Sequence, residues 1–152
     1  MFKLTSPNIK EGDFIPTKYT CDGADVSPAF VWTDSLKGAR CFALIADDPD
    51  APGGTWVHWV LFNAPADTRQ LPEAVPADES LPNGMRQGVN DFKRIGYGGP
   101  CPPPGKPHRY YFTLYALDTL LDLKWRATKA HVLEASQGHI LAESKLMGRY
   151  GR

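Results

Sequence analysis

A chain of 152 residues with 42% apolar and 22% charged side chains can bury a true core as one domain but is short for two, because the buried fraction of surface falls as domains shrink; a single domain spanning residues 1–152 is expected. With 17 basic against 17 acidic side chains there is no net field to draw in a polyanion, so no nucleic acid partner is expected. Residues 1–16 carry Lys3, Lys10, Glu11 and Asp13 without a signal-type apolar run, and the longest apolar stretches, 41–46 and 59–62, fall far short of the ~18 residues of a membrane span, so no membrane span and a cytoplasmic location are expected.

In chain order, short apolar runs rich in Val, Phe, Trp, Tyr and Ile predict strands at residues 2–6, 29–33, 41–46, 55–63 and 109–117. Turn chemistry falls between them at Asp22-Gly23, Pro52-Gly53-Gly54 and Asn83-Gly84. Runs 41–46 and 55–63 are apolar on both alternating faces, as in central strands covered on both sides. After Trp125, Thr128 reads as an N-cap, and Val132, Leu133, Ala135, Ile140, Leu141, Leu146 and Met147 recur at helical spacing up to Gly148. Gly138 inside this pattern costs about 1 kcal/mol relative to Ala. One or two short C-terminal helices are therefore expected, with Lys145, Arg149 and Arg152 complementing the dipole at their end. Cys21, Cys41 and Cys101 are odd in number, lack a CxxC pair and read as free thiols.

Three segments hold the residues with chemistry. In Ala46-Asp47-Asp48-Pro49-Asp50-Ala51-Pro52, three carboxylates crowd the end of an apolar strand, which raises their pKa values unless cations or N–H donors oppose it. The Ala51-Pro52 peptide in this tight turn is the candidate for a cis bond. In the strand at 55–63, Trp56, His58, Val60 and Phe62 share one face, placing an imidazole among bulky apolar side chains. Gly96-Tyr97-Gly98-Gly99-Pro100-Cys101-Pro102-Pro103-Pro104-Gly105 is stiffened by proline, framed by glycine, and leads into a strand whose first face presents His108 and Tyr110 together.

Asp48-Pro49-Asp50-Ala51-Pro52 with Trp56 and His58, and Gly98-Gly99-Pro100 leading to His108-Arg109-Tyr110, resemble the two signatures of the phosphatidylethanolamine-binding protein (Raf kinase inhibitor-like) family. Asp25-Val26-Ser27-Pro28-Ala29-Phe30-Val31-Trp32 and Gly148-Arg149-Tyr150 resemble its bacterial and archaeal branch. The resemblance implies a mainly β fold of two packed antiparallel sheets with Greek-key topology. It also implies a small cavity for phosphate-like or carboxylate anions, formed by Asp48, Trp56, His58, Gly98, Pro100, His108 and Tyr110, with Asp50 beside it and Arg109 bracing the rim.

Two imidazoles, the Tyr110 hydroxyl and glycine amides supply donors for such an anion, and Asp48 would hold an imidazole tautomer. Charge-assisted bonds of about 1.5–3 kcal/mol each, set against an immobilisation cost of at least about 4 kcal/mol, predict roughly millimolar binding of a bare anion. Many eukaryotic relatives carry a second histidine where this chain has Val57, so kinase-inhibitor and flowering-signal roles do not transfer with the resemblance. The expected protein is a non-enzymatic binding module without cofactor that modulates a kinase or other partner protein and forms a homodimer. The competing readings are a two-histidine, one-carboxylate metal site of Asp48, His58 and His108, and a Cys101 nucleophile served by His108 or His58.

Overall fold

The computed structural model describes residues 1–33 and 36–152. The strands are β1 (Lys3–Thr5), β2 (Phe30–Thr33), β3 (Cys41–Asp48), β4 (Trp56–Pro65), β5 (Gln70–Leu71), β6 (Arg86–Gln87), β7 (His108–Leu117) and β8 (Ile140–Tyr150), with one helix, α1 (Lys129–Ser136), before the last. They form a small sheet in the order β1-β2-β5 and a large one in the order β6-β4-β3-β7-β8, with antiparallel pairing throughout. From β4 the chain crosses to the small sheet as β5, returns at the far edge as β6, and re-enters beside β3 as β7. This is the Greek-key path.

Alternation in β3 explains why the fold has two apolar layers. Phe42, Leu44 and Ala46 point inward with Trp59, Leu61, Phe112 and Leu114 and meet Leu4, Phe30 and Trp32 of the small sheet. Cys41, Ala43 and Ile45 point the other way, with Val60 and Phe62, onto Leu117 at the end of β7, Leu121 and Ala127 in the connection that follows, and Val132 of α1. The central strands are therefore covered on both sides, as their unbroken apolar runs predict.

Helix α1 starts where expected. Thr128 Oγ1 accepts the His131 amide at 3.2 Å and His131 Nδ1 accepts the Thr128 amide at 3.1 Å, a reciprocal cap. It ends at Ser136, and Gly138 takes φ 78°. Beyond that glycine the chain forms a strand: β8 pairs with β7 from Leu117↔Ile140 to His108↔Tyr150, so the helical spacing of Ile140, Leu141, Leu146 and Met147 is misleading. The backbone groups on the open side of β7 need partners, and ladder bonding along its length outweighs the weak helical preference of an eleven-residue segment after a glycine. Lys145, Arg149 and Arg152 consequently lie along or just beyond a strand and face no helix dipole. No peptide bond is cis among the described residues, so Ala51-Pro52 is trans.

Candidate functional site

The strand ends at one edge of the large sheet bring the predicted side chains together. Asp48 closes β3, Trp56 and His58 open β4, and His108 and Tyr110 open β7; Asp48 pairs with Trp56, and Asp47 with Tyr111. All five line one cavity of about 270 Å³. The two imidazoles, distant in sequence, therefore face a single space, separated by the Tyr110 ring, which lies edge-on to His58 at 5.3 Å and stacked on His108 at 6.4 Å.

Hydrogen bonds assign the roles of the ring nitrogens. His58 Nδ1 lies 2.6 Å from the carbonyl oxygen of Gly98, which can only accept, so Nδ1 carries the proton and Nε2 is the nitrogen left for a ligand. His58 is 4% exposed, and burial pulls its pKa below the ordinary histidine value, against the opposing pull of the Gly98 carbonyl and the Asp48 and Asp47 charges. His108 Nδ1 donates to Asp48 Oδ2 at 2.7 Å, again leaving Nε2. Tyr110 is buried at 2% exposure and its hydroxyl, which faces the Asp48 carboxylate, makes no hydrogen bond of good geometry among the described residues. Burial, with the charge of nearby Asp48, pushes its pKa far up, so the hydroxyl remains a proton donor throughout the neutral range.

The crowded carboxylates each have their own counterpart. Asp47 pairs with Lys129 at 2.6 Å on the helix side of the sheet. Asp48 accepts His108 through Oδ2 and the Asp50 amide through Oδ1, at 2.7 Å in both cases, so both its oxygens are engaged. Asp50 binds Arg109 through the main-chain amide and Nε at 2.9 Å and through Nη2 at 2.8 Å, which holds its carboxyl at about 2. This ion pair lies outside the small cavity, so Asp50 and Arg109 fix the Asp48 turn to β7 from outside.

Gly98 and Pro100 also stand behind the cavity wall. The Gly98 amide donates to His58 O at 2.9 Å, and Pro100 O accepts the Cys21 amide at 3.1 Å. A Cβ on Gly98 would lie 2.6 Å from the Phe92 ring, so glycine there is what lets Phe92 pack close. Phe92 in turn stands edge-on to His58 at 5.4 Å and to Trp56 at 5.5 Å, forming an apolar wall that the sequence does not single out. Pro52, Pro102 and Pro103 complete that wall. The proline run carried this signal, whereas nothing in the Asn90-Asp91-Phe92 loop marks its aromatic ring as part of a site.

Two expectations give way to the fold. Cys21 and Cys101 form a disulfide, 80 residues apart in sequence, that ties the loop after the 3-10 turn Thr17–Tyr19 to the cavity loop; only Cys41 is free, and it is buried with its thiol pushed up to about 11. The count of three cysteines conceals a pair because the two partners meet only through the fold. With its sulfur oxidised, Cys101 is no thiolate nucleophile. Among the described residues no group of three or more His, Cys, Asp or Glu is placed to hold a metal ion.

Residues 5–151 match the model of the phosphatidylethanolamine-binding protein family. A UPF0098 protein of Methanothermobacter thermautotrophicus is 54% identical over 138 residues, covering 91% of each chain, and one of Aquifex aeolicus is 45% identical, covering all of this chain and 90% of that one. Among solved structures, a homolog of the family from Chlamydia trachomatis superposes with a TM-score of 0.90 at 38% identity, covering 99% of this chain and 97% of that one. E. coli YbcL, described as a new member of the mammalian family, gives 0.91 at 35% identity with 99% and 98% covered. The chain belongs to the phosphatidylethanolamine-binding protein family, in its bacterial and archaeal branch.

Proposed function

We propose that this protein is a non-catalytic receptor for a small oxyanion, phosphate-like or carboxylate, held in the 270 Å³ cavity. The observation that carries the reading is the buried Tyr110 hydroxyl, which makes no hydrogen bond of good geometry and has beside it an Asp48 carboxylate already engaged by His108 and the Asp50 amide, since a buried donor left poorly satisfied costs about 1–3 kcal/mol and a ligand oxygen removes that cost. His58 and His108 flank it with their Nδ1 atoms engaged, so their Nε2 atoms can accept from a protonated oxyanion or, once protonated, donate to a charged one. None of the lining residues is a serine, threonine or lysine, and the lining cysteine is oxidised, which supports binding over covalent catalysis.

A phosphorylated side chain carries such an oxyanion, and modulation of a kinase or other partner protein would act through it. The homodimer belongs to the same proposal: the first residues of β8, where Ile140 and Leu141 are 44% and 42% exposed, leave apolar surface near an open sheet edge. A cytoplasmic address conflicts with the disulfide in most cells, where cytosolic thiols stay reduced, and fits the intracellular proteins of hyperthermophiles, which are rich in disulfides.

Isothermal titration with inorganic phosphate tests the site. Binding at roughly millimolar strength is expected, weakened about tenfold or more in Tyr110→Phe and in His108→Ala through loss of a donor to charged oxygen. Unchanged affinity in both variants would remove the assignment.

A further inference from the structure

A wider, open groove of about 550 Å³ adjoins the small cavity and shares His108 and Pro103 with it. Its cations are Lys106, Arg109 and Arg149, set against the single carboxylate of Asp50. That local excess of positive charge stands out in a chain whose 17 basic and 17 acidic side chains cancel.

The arrangement places like charges together. Arg109 and Arg149 are direct cross-strand partners in the β7–β8 ladder, a juxtaposition that is destabilising unless an anion intervenes. Asp50 satisfies Arg109 with three bonds. Arg149 has no ion pair among the described residues: its Nε donates to Gly12 O at 2.8 Å and its guanidinium lies 4.6 Å over the Phe14 ring, which leaves the outer nitrogens uncommitted. Lys106 is exposed and likewise has no ion pair among the described residues. One step along the ladder, His108 pairs with Tyr150, so His108 and Arg149 leave opposite faces of the sheet, and the groove that both line runs round the open ends of β7 and β8 to join them.

We infer that cavity and groove form one composite site for a small ligand with two anionic groups a few bonds apart, the first held by Tyr110, His58 and His108 and the second by Lys106 and Arg149. Diphosphate is the simplest member of that class. The inference rests on the oxyanion reading of the cavity and adds the second anchor. A guanidinium and an ammonium are suited to this task, one as a planar fork and the other as a mobile point charge.

Calorimetric titrations with inorganic phosphate and with inorganic diphosphate, at one pH and one ionic strength, separate the two readings. The wild type is expected to bind diphosphate about tenfold or more tighter than phosphate, and in Lys106→Ala, and more fully in Lys106→Ala/Arg149→Ala, that ratio falls towards one while phosphate affinity stays within about threefold. Because Arg149 also braces Gly12 and Phe14, Lys106→Ala keeps the test independent of folding. Phosphate binding without a diphosphate preference, or a preference that survives in Lys106→Ala and the double variant alike, overturns the composite site alone. Absence of binding by either anion overturns it together with the cavity reading.

Discussion

The Tyr110 hydroxyl and the two imidazoles differ in how they respond to protons. The hydroxyl stays a donor because burial and Asp48 push its ionisation far upward. His58 presents a bare Nε2 while neutral, and burial holds it neutral to a lower pH than usual. A fully charged oxyanion therefore binds best when His58 takes up a proton, and that proton is bound more tightly in the complex than in the free protein. Affinity should rise as pH falls through the histidine range and weaken as pH rises, starting from His58's depressed pKa below about 6.5 in the free state. Sulfate, which does not titrate between pH 5 and about 8, isolates the effect from the ligand's own ionisation. A sulfate affinity flat across that range would show that His58 donates nothing.

Among the elements, β8 shows how edge completion overrides local preference. Its second half is covered by the segment before the 3-10 turn, with Gly12 N donating to Met147 O and Ile15 N to Arg149 O, both at 2.7 Å. Gly148 makes that approach possible, since a Cβ there would lie 2.7 Å from Ile15 Cγ1 and 3.1 Å from Ile9 Cγ2. Gly148→Ala should therefore overpack this seam and destabilise the protein by about 1–3 kcal/mol, measured as a lowered urea midpoint with an unchanged slope. An unshifted midpoint would mean that the segment carrying Ile9 and Ile15 can move away at no cost. The same strand brings Arg149 and Tyr150 beside Arg109 and His108, so an element misread in sequence decides the charge around the site.

For the molecule as a whole, the Cys21–Cys101 bond closes a covalent loop and passes through the cavity wall. Chain-entropy arguments give a bond that spans 80 residues a stabilisation of about 4 kcal/mol. Reduction, or the Cys21→Ser/Cys101→Ser pair, should lower the unfolding midpoint accordingly, and denaturant titration with and without reductant measures it. Equal midpoints would show that the hydrogen bonds of the same loops suffice, namely Cys21 N to Pro100 O at 3.1 Å and Gly99 N to Asp25 Oδ1 at 2.7 Å.

The sequence alone was enough for the central sheet, because β3 and β4 are apolar on both faces and only a doubly covered strand tolerates that composition. Asp48, Trp56, His58, His108 and Tyr110 were legible as a group through the family's motifs, and alternation placed His108 with Tyr110; a bulge in β4 opposite Ala46 and Asp47, however, turns His58 to the cavity and away from Val60 and Phe62, with which alternation groups it. Tertiary structure decided the rest: that Cys21 meets Cys101, that Phe92 walls the cavity, that Asp50 and Arg109 pair outside it, and that residues 140–150 complete a sheet. These depend on contacts between segments far apart in the chain, and local periodicity and composition hold no record of which open edge or unpaired group a distant residue will meet.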